Sequence, residues 1–313
     1  MKSKLYLLLM ILVILLTACA TISNLPGFSK FIGKQTTVGG SGVILSVEEG
    51  PENNEEIIEG FPFSIAIKIA NYVPVEPGLI GELCLRDDKT ETYGGVDEDD
   101  CREINLQPAT SIEKRVTPSE DVYRFSIQPY HDLAEKNLKE TVQVFADLDY
   151  NVQSLTSATT CIKRPAAQSQ SIPADCGKKQ DLQLQQTDLP IKVSRLTTRA
   201  ISTELESTVD LEILLTKVTE GSVISMSSIG QQPVQGTALI NFDVLVSNIP
   251  AVCAGIGNNL EFRQNEKEKI IKCFVKIPLD QDLINAPIRI KMGYGFKQSI
   301  KLRTLNIIKG GIS

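Results

Sequence analysis

The sequence predicts an all-β protein: two tandem β-sandwich domains behind a short export segment. Three observations predict it. Strand patterns recur at turn-punctuated spacing, as in "FPFSIAIKIANY", where Phe63, Ile65, Ile67 and Ile69 alternate with smaller or polar residues. Helix-period patterns are scarce, and no alternation of strands with helices suggests a parallel sheet. Six cysteines follow the N-terminal segment, an even set suited to a disulfide framework. The expected division is a signal peptide at 1–18, a tether at 19–42, a first sandwich at 43–165, a linker at 166–186, a second sandwich at 187–309 and a tail at 310–313.

The N-terminal segment opens with Lys2 and Lys4 and continues as an apolar run from Leu5 to Leu16. Twelve residues fall short of the roughly 20 that span a bilayer, and the layout is that of a signal peptide. Its end, Leu16-Thr17-Ala18-Cys19, resembles the lipobox of exported lipoproteins. The resemblance implies cleavage before Cys19 and attachment of a diacylglycerol to its thiol. Two acyl chains hold a protein stably on a membrane. The chain is thus expected on the outer face of the cytoplasmic membrane or in the cell envelope. An ordinary signal peptide with a chance cysteine and an uncleaved N-terminal helix are the competing readings.

Composition narrows the partners. Loss of the two lysines of the signal takes the net charge from −6 to −8. A chain this acidic, with no basic stripe, is not expected to follow a phosphate backbone, so nucleic acid is excluded as a partner. Apolar residues make up 42%, enough for real cores.

Setting Cys19 aside, the cysteines are Cys84, Cys101, Cys161, Cys176, Cys253 and Cys273. Fifteen pairings are open. Neighbours pair most simply, 84 with 101, 161 with 176 and 253 with 273, each closing a short loop worth roughly 3 kcal/mol. In "GELCLRD", Leu83 and Leu85 share one face and Cys84 shares the other with Glu82 and Arg86. Cys273 shares its face with the apolar Ile271, Val275 and Ile277, so a buried free thiol competes with a bridge there.

Residues 20–42 are rich in Gly, Ser and Thr and read as a tether. Strand signals then follow in "GVILSVEE", "LIGELCLRD", "VYRFSIQPY" and "ETVQVFADLDYNV". The best helix candidate is "HDLAEKNLKE", with Asp132 as N-cap. From Lys163 to Gln186 a Gln-, Ser-, Ala- and Pro-rich stretch reads as a linker. Strands resume in "LPIKVSRLTTRAI", "STVDLEILLTKV", "ALINFDVLVSNI", "KIIKCFVKIPL", "APIRIKMGYGF" and "KLRTLNIIK".

The halves echo each other, with chance similarity between two sandwich domains as the competing reading. Ile127, Asp132-Leu133, Tyr150 and Gln153-Ser154 match Ile277, Asp282-Leu283, Tyr294 and Gln298-Ser299. The offset is 150 at the Asp-Leu pair and 144 at the tyrosine. A tyrosine near the end of a sandwich strand often bonds backbone through its hydroxyl. "SVISMS", "VCAGIGNN", "IIKCFVKIPL" and "IRIKMGYGFKQSIKLRTLNII" resemble modules of uncharacterised archaeal surface proteins, over residues 205–309 and more faintly 43–163. The resemblance implies tandem immunoglobulin-like β-sandwich domains and a surface location, and carries no activity.

Catalytic signals are sparse. His131 is the single histidine, in the turn "QPYHDL", and with Asp132 alone it makes neither a Ser-His-Asp site nor a zinc site. "GGSG" at 39–42 lacks the Lys and helix of a phosphate loop, and "AGIGNN" reads as a turn. There is no Trp. One acidic loop gathers Asp87, Asp88, Asp97, Glu98, Asp99 and Asp100 beside the expected 84–101 bridge, a set of hard oxygen donors that would suit calcium. A solvated charged loop is the competing reading. No other cofactor is expected. The sequence favours a non-enzymatic, lipid-anchored interaction, adhesion or structural module whose partner is a protein or a cell-envelope polymer. A solute-binding lipoprotein of a transport system would need two α/β lobes, and an exported carboxylate-dependent hydrolase would need convergent acids; both are weaker expectations.

Overall fold

The computed structural model describes residues 42–309 apart from 90–92, 98–99, 113–114, 133–138, 166–174, 232–235 and 258. Its backbone is organised around two long runs. "KETVQVFADLDYNVQSLTSATTCIK" forms strand β9 (Lys139–Lys163), and "LINAPIRIKMGYGFKQSIKLRTLNII" forms strand β19 (Leu283–Ile308). They pair antiparallel from end to end, Lys139 opposite Ile308 and Lys163 opposite Leu283. At about 3.3 Å per residue the ladder is roughly 80 Å long, several times an ordinary strand. Pro287 is tolerated inside it. Its carbonyl accepts the Ser247 N–H at 2.8 Å, so its own nitrogen faces the same side, beyond the last flanking pair, and no ladder bond is lost.

The first half contributes β1 (Val43–Glu49), β2 (Glu56–Ile58), β3 (Phe63–Asn71), β4 (Leu79–Asp87), β5 (Cys101–Leu106), β6 (Thr110–Ile112), β7 (Arg115–Thr117) and β8 (Ser119–Ile127). The second contributes β10 (Gln180–Asp181), β11 (Ile191–Ser202), β12 (Glu206–Lys217), β13 (Ser222–Ile224), β14 (Thr237–Val246), β15 (Ile249–Pro250), β16 (Val252–Cys253), β17 (Asn259–Arg263) and β18 (Glu268–Pro278). In the first half a β1-β3-β8 sheet accompanies β5-β4-β9. In the second, β11-β12-β18, extended by β10 and β16, accompanies β14-β19 with β17 paired to β14. Named by sandwich position, each half supplies strands A, B and E in one sheet and C′, C and F in the other, the immunoglobulin-like arrangement.

The last strand is where the two halves interlock. In a self-contained sandwich of this type, strand F turns back and strand G pairs beside it. Here neither F strand turns. β9 serves as F of the first half up to about residue 150, then runs on as G of the second. β19 does the reverse. An approximate two-fold axis passes near the Asn151–Gly295 pair, the middle of the ladder. An offset of 144 carries Tyr150 onto Tyr294, and the β4 ladder on 144–150 onto the β14 ladder on 288–293, which is one pair shorter. The sequence echo between the halves is this symmetry, with Ser154 equivalent to Gln298, one residue off the match read from sequence. The stretches expected as separate sandwiches, 43–165 and 187–309, therefore share one sheet. Residues 37–313 make one compact unit, and core side chains from both halves form one cluster.

Period-2 patterning puts one face of the long ladder inward. On β9 this is Val142, Val144, Ala146, Leu148, Tyr150 and Val152, then Ser154, Thr156, Ala158, Thr160 and Ile162. On β19 it is the even residues from Ala286 to Leu302, after which a bulge between Lys301 and Arg303 shifts the alternation, so that Leu305 and Ile307 face inward. Burying each Val, Leu or Ile contributes about 1.5–3 kcal/mol. Tyr150 packs edge-on against Phe296, ring centroids 6.0 Å apart, and the Tyr294 hydroxyl accepts the Ile191 N–H at 2.8 Å. Two glycines answer to close approach. A Cβ on Gly81 would run into the Asp149 carbonyl, and one on Gly295 would lie 2.7 Å from Ile224 Cγ1. "GYG" is thus no turn but the place where the chain after β13 crosses the back of β19.

Two further expectations change. Asp132 has φ +58°, which an N-cap does not adopt. Residues 133–138 of the expected helix lie outside the described residues, while Lys139 and Glu140 already belong to β9. Within the expected linker, 175–186 is tied down: Cys176 is 2% exposed and bridged to Cys161, and Gln185 forms a bridge with Ser157.

Proteolytic cutting within 166–174, followed by reduction of the 161–176 bridge, should leave the two fragments together as a 1:1 complex through size-exclusion chromatography. Two folded halves that separate would contradict the exchanged ladder.

Candidate binding groove

The three disulfides join sequence neighbours: Cys84–Cys101, Cys161–Cys176 and Cys253–Cys273. Cys84 faces away from the buried Leu83 and Leu85, as its face predicts, and ties β4 to the first residue of β5. Cys273 is 4% exposed, on the inward face of β18, and is nonetheless bridged, because β16 places Cys253 directly opposite it. Cys19 lies outside the described residues.

The acidic loop is held by specific donors. Asp87 Oδ2 accepts from the Tyr130 hydroxyl at 2.7 Å and the Val96 N–H at 3.1 Å, and its Oδ1 accepts from the Lys89 N–H at 2.8 Å. Burial and this bond hold the Tyr130 hydroxyl well above the ordinary phenol range. Asp88 accepts from the Gln143 N–H at 2.8 Å, Asp100 pairs with Arg102, and Asp97 is exposed. Glu98 and Asp99 lie outside the described residues. Among the described residues, the one set of three metal-type donors within 4.8 Å of one another is Glu82, Cys84 and Cys101, and its two sulfurs are bonded to each other. The structure thus does not gather Asp87, Asp88, Asp97 and Asp100 around a common point. His131 lies in an exposed turn, its Nδ1 3.5 Å from Asp132 Oδ2.

Sequence reasoning missed a polar cluster on the back of the shared sheet. Arg86 donates to Asp147 at 2.8 Å and to Ser299 at 2.9 Å, and its guanidinium lies 4.4 Å from the Phe145 ring centroid. Lys297 donates to Asp149 Oδ2 at 3.2 Å. The Oδ1 atoms of Asp147 and Asp149 are buried without a partner among the described residues. Burial raises the Asp149 carboxyl above its ordinary value, against the pull of Lys297. These pairs bind β4, β9 and β19 together across the back of the ladder.

The second site missed from sequence is open to solvent. Across the outer face of the five-stranded sheet runs a groove of about 360 Å³, lined by Lys179, Arg199, Asp210, Glu212, Lys272 and Phe274 among others. Register places Arg199 opposite Asp210, Asp210 opposite Phe274, and Glu212 opposite Lys272. Among the described residues, Arg199, Asp210 and Lys272 make no ion pair and no side-chain hydrogen bond, and Glu212 meets Arg195 at 3.7 Å. The signal was present in sequence as the even-numbered, outward residues of "EKIIKCFVKIP", read only for their inward partners. No protein-family profile matches the chain, and neither does any curated protein.

Asp149 generates a pH prediction. With its folded-state value raised, the folded protein holds a proton that the unfolded chain releases from about pH 3.8. Stability contributed at this site therefore falls as pH rises from that value through the raised one. Asp149→Asn lacks the slope, so its stability relative to the parent should climb over that window and then level off in chemical denaturation. A pH-independent difference would show that Asp149 ionises as it does in the unfolded chain.

Proposed function

We propose that the chain is an exported, lipid-tethered surface protein that acts by binding, with the interlocked double sandwich as its platform. The observation that carries the reading is the open face of the five-stranded sheet, where charged groups and an exposed aromatic ring line one groove without being committed to one another. Three disulfides accord with an oxidising compartment. No helix among the described residues is long and apolar enough to cross a membrane. The export segment with Leu16-Thr17-Ala18-Cys19 and the Gly-, Ser- and Thr-rich stretch to residue 42 supply anchor and spacer. An interlocked pair suits display, since neither half tumbles independently of the other.

Two measurements test this. Intact mass of the mature protein should give an N-terminal Cys19 carrying a diacylglycerol, with partition into detergent; Cys19→Ser should give an aqueous or uncleaved product. A lipid-free N-terminus elsewhere would end the anchor reading. Separately, fragment 37–313 should co-sediment saturably with cell envelopes; absence of any binding would end the platform reading.

A further inference from the structure

The groove on the five-stranded sheet constrains what it can hold, and the inference rests on the platform reading above. Its floor is the interior of the sheet. β12 is laddered on both sides, to β11 and β18, so its backbone offers nothing to an added strand. Recognition there must come from side chains. Phe274 exposes 45% of its surface on this floor, and Val252, opposite it on β16, is 59% exposed. The Phe274 ring thus offers an apolar face within the groove, with Val252 beside the groove.

The charged groups around it alternate in sign. Opposite charges facing each other across strands ordinarily attract and pair. Arg199 and Asp210 face each other and do not pair; Lys272 faces Glu212 and does not pair with it. Donors therefore stand beside acceptors at positions set by the backbone register, each with capacity for a ligand. A polyanion would meet Asp210 and Glu212, and a lipid chain would strand every one of these charges. A polyhydroxylated ring meets both requirements. Its adjacent hydroxyls donate to carboxylates and accept from guanidinium or ammonium groups, while its C–H face stacks on an aromatic ring. The volume, about 360 Å³, is at the small end of ligand sites and admits a short stretch of chain.

We propose that this groove is a carbohydrate-binding site that takes a few residues of a neutral or weakly acidic polysaccharide carrying vicinal hydroxyls. Phe274 is the stacking platform, Asp210 and Glu212 accept from ring hydroxyls, and Arg199 and Lys272 donate to them.

The probe is the cell envelope, used native and after periodate oxidation, which cleaves vicinal diols. Binding of fragment 37–313 is read by co-sedimentation. Periodate treatment should weaken binding ten-fold or more, Phe274→Ala should do the same on untreated envelopes, and Asp210→Asn should weaken it several-fold. Both parent side chains are exposed, so an unchanged melting temperature confirms that a variant is folded. Binding that survives periodate overturns the carbohydrate assignment and leaves the platform reading standing. Binding lost to periodate but untouched by Phe274→Ala places the sugar elsewhere and overturns the groove. No binding to either envelope removes both readings.

Discussion

The antiparallel ladder between β9 and β19 is the constraint on which the rest of the structure depends. It supplies strand F and strand G to both halves at once, so each half completes its larger sheet only with a strand from the other. Backbone groups that would form an open edge beside either F strand are paired, which removes two edges that could template aggregation. The polar cluster on the back reinforces the ladder where β4 joins it. Arg86 spans from β4 to Asp147 on β9 and Ser299 on β19, and Lys297 closes onto Asp149.

Why the strands run straight on, instead of turning, follows from the residues at the centre. Asn151 has the chemistry of a turn residue. Its side chain is instead engaged with the start of β4: Oδ1 accepts the Ile80 N–H at 2.6 Å, and Nδ2 donates to the Gly78 carbonyl at 3.3 Å. Its neighbours Tyr150 and Val152 are both buried on the inward face, which a two-residue turn would expose. On β19, Gly295 is flanked by the fully buried Tyr294 and Phe296, and its missing side chain makes room for Ile224. Exchange of this kind, ordinarily seen between two copies of a chain, here occurs within one.

The strands with apolar alternation were legible, as were the tandem repeat and all three disulfides. The exchanged portion of β9 was not. In "SLTSATT" the inward residues are Ser154, Thr156, Ala158 and Thr160, whereas Leu155 is 41% exposed, so hydrophobic periodicity points the wrong way. The two threonine hydroxyls are satisfied across the core instead, Thr160 against Thr198 at 3.1 Å and Thr156 against Gln186 at 3.1 Å, while the Ser154 hydroxyl is buried without a partner among the described residues. "APIRIKMGYGF" and "KLRTLNIIK" read as two strands and are one; the crossing chain that requires Gly295 is distant in sequence. The groove was hidden for a related reason. It draws on β11, β12, β18 and the turn after β16, and only register brings Arg199, Asp210 and Phe274 into one row.

If the ladder makes one cooperative body of the two halves, damage to either core must be felt by both. Ile67 lies in the three-stranded sheet and Ile213 in the five-stranded sheet, both fully buried. Each change to Ala should cost about 2–5 kcal/mol. Scanning calorimetry of fragment 37–313 tests this most directly. The account predicts a single transition in the parent, moved as a whole to lower temperature by Ile67→Ala and likewise by Ile213→Ala. Two transitions, each moved by only one of the substitutions, would contradict it.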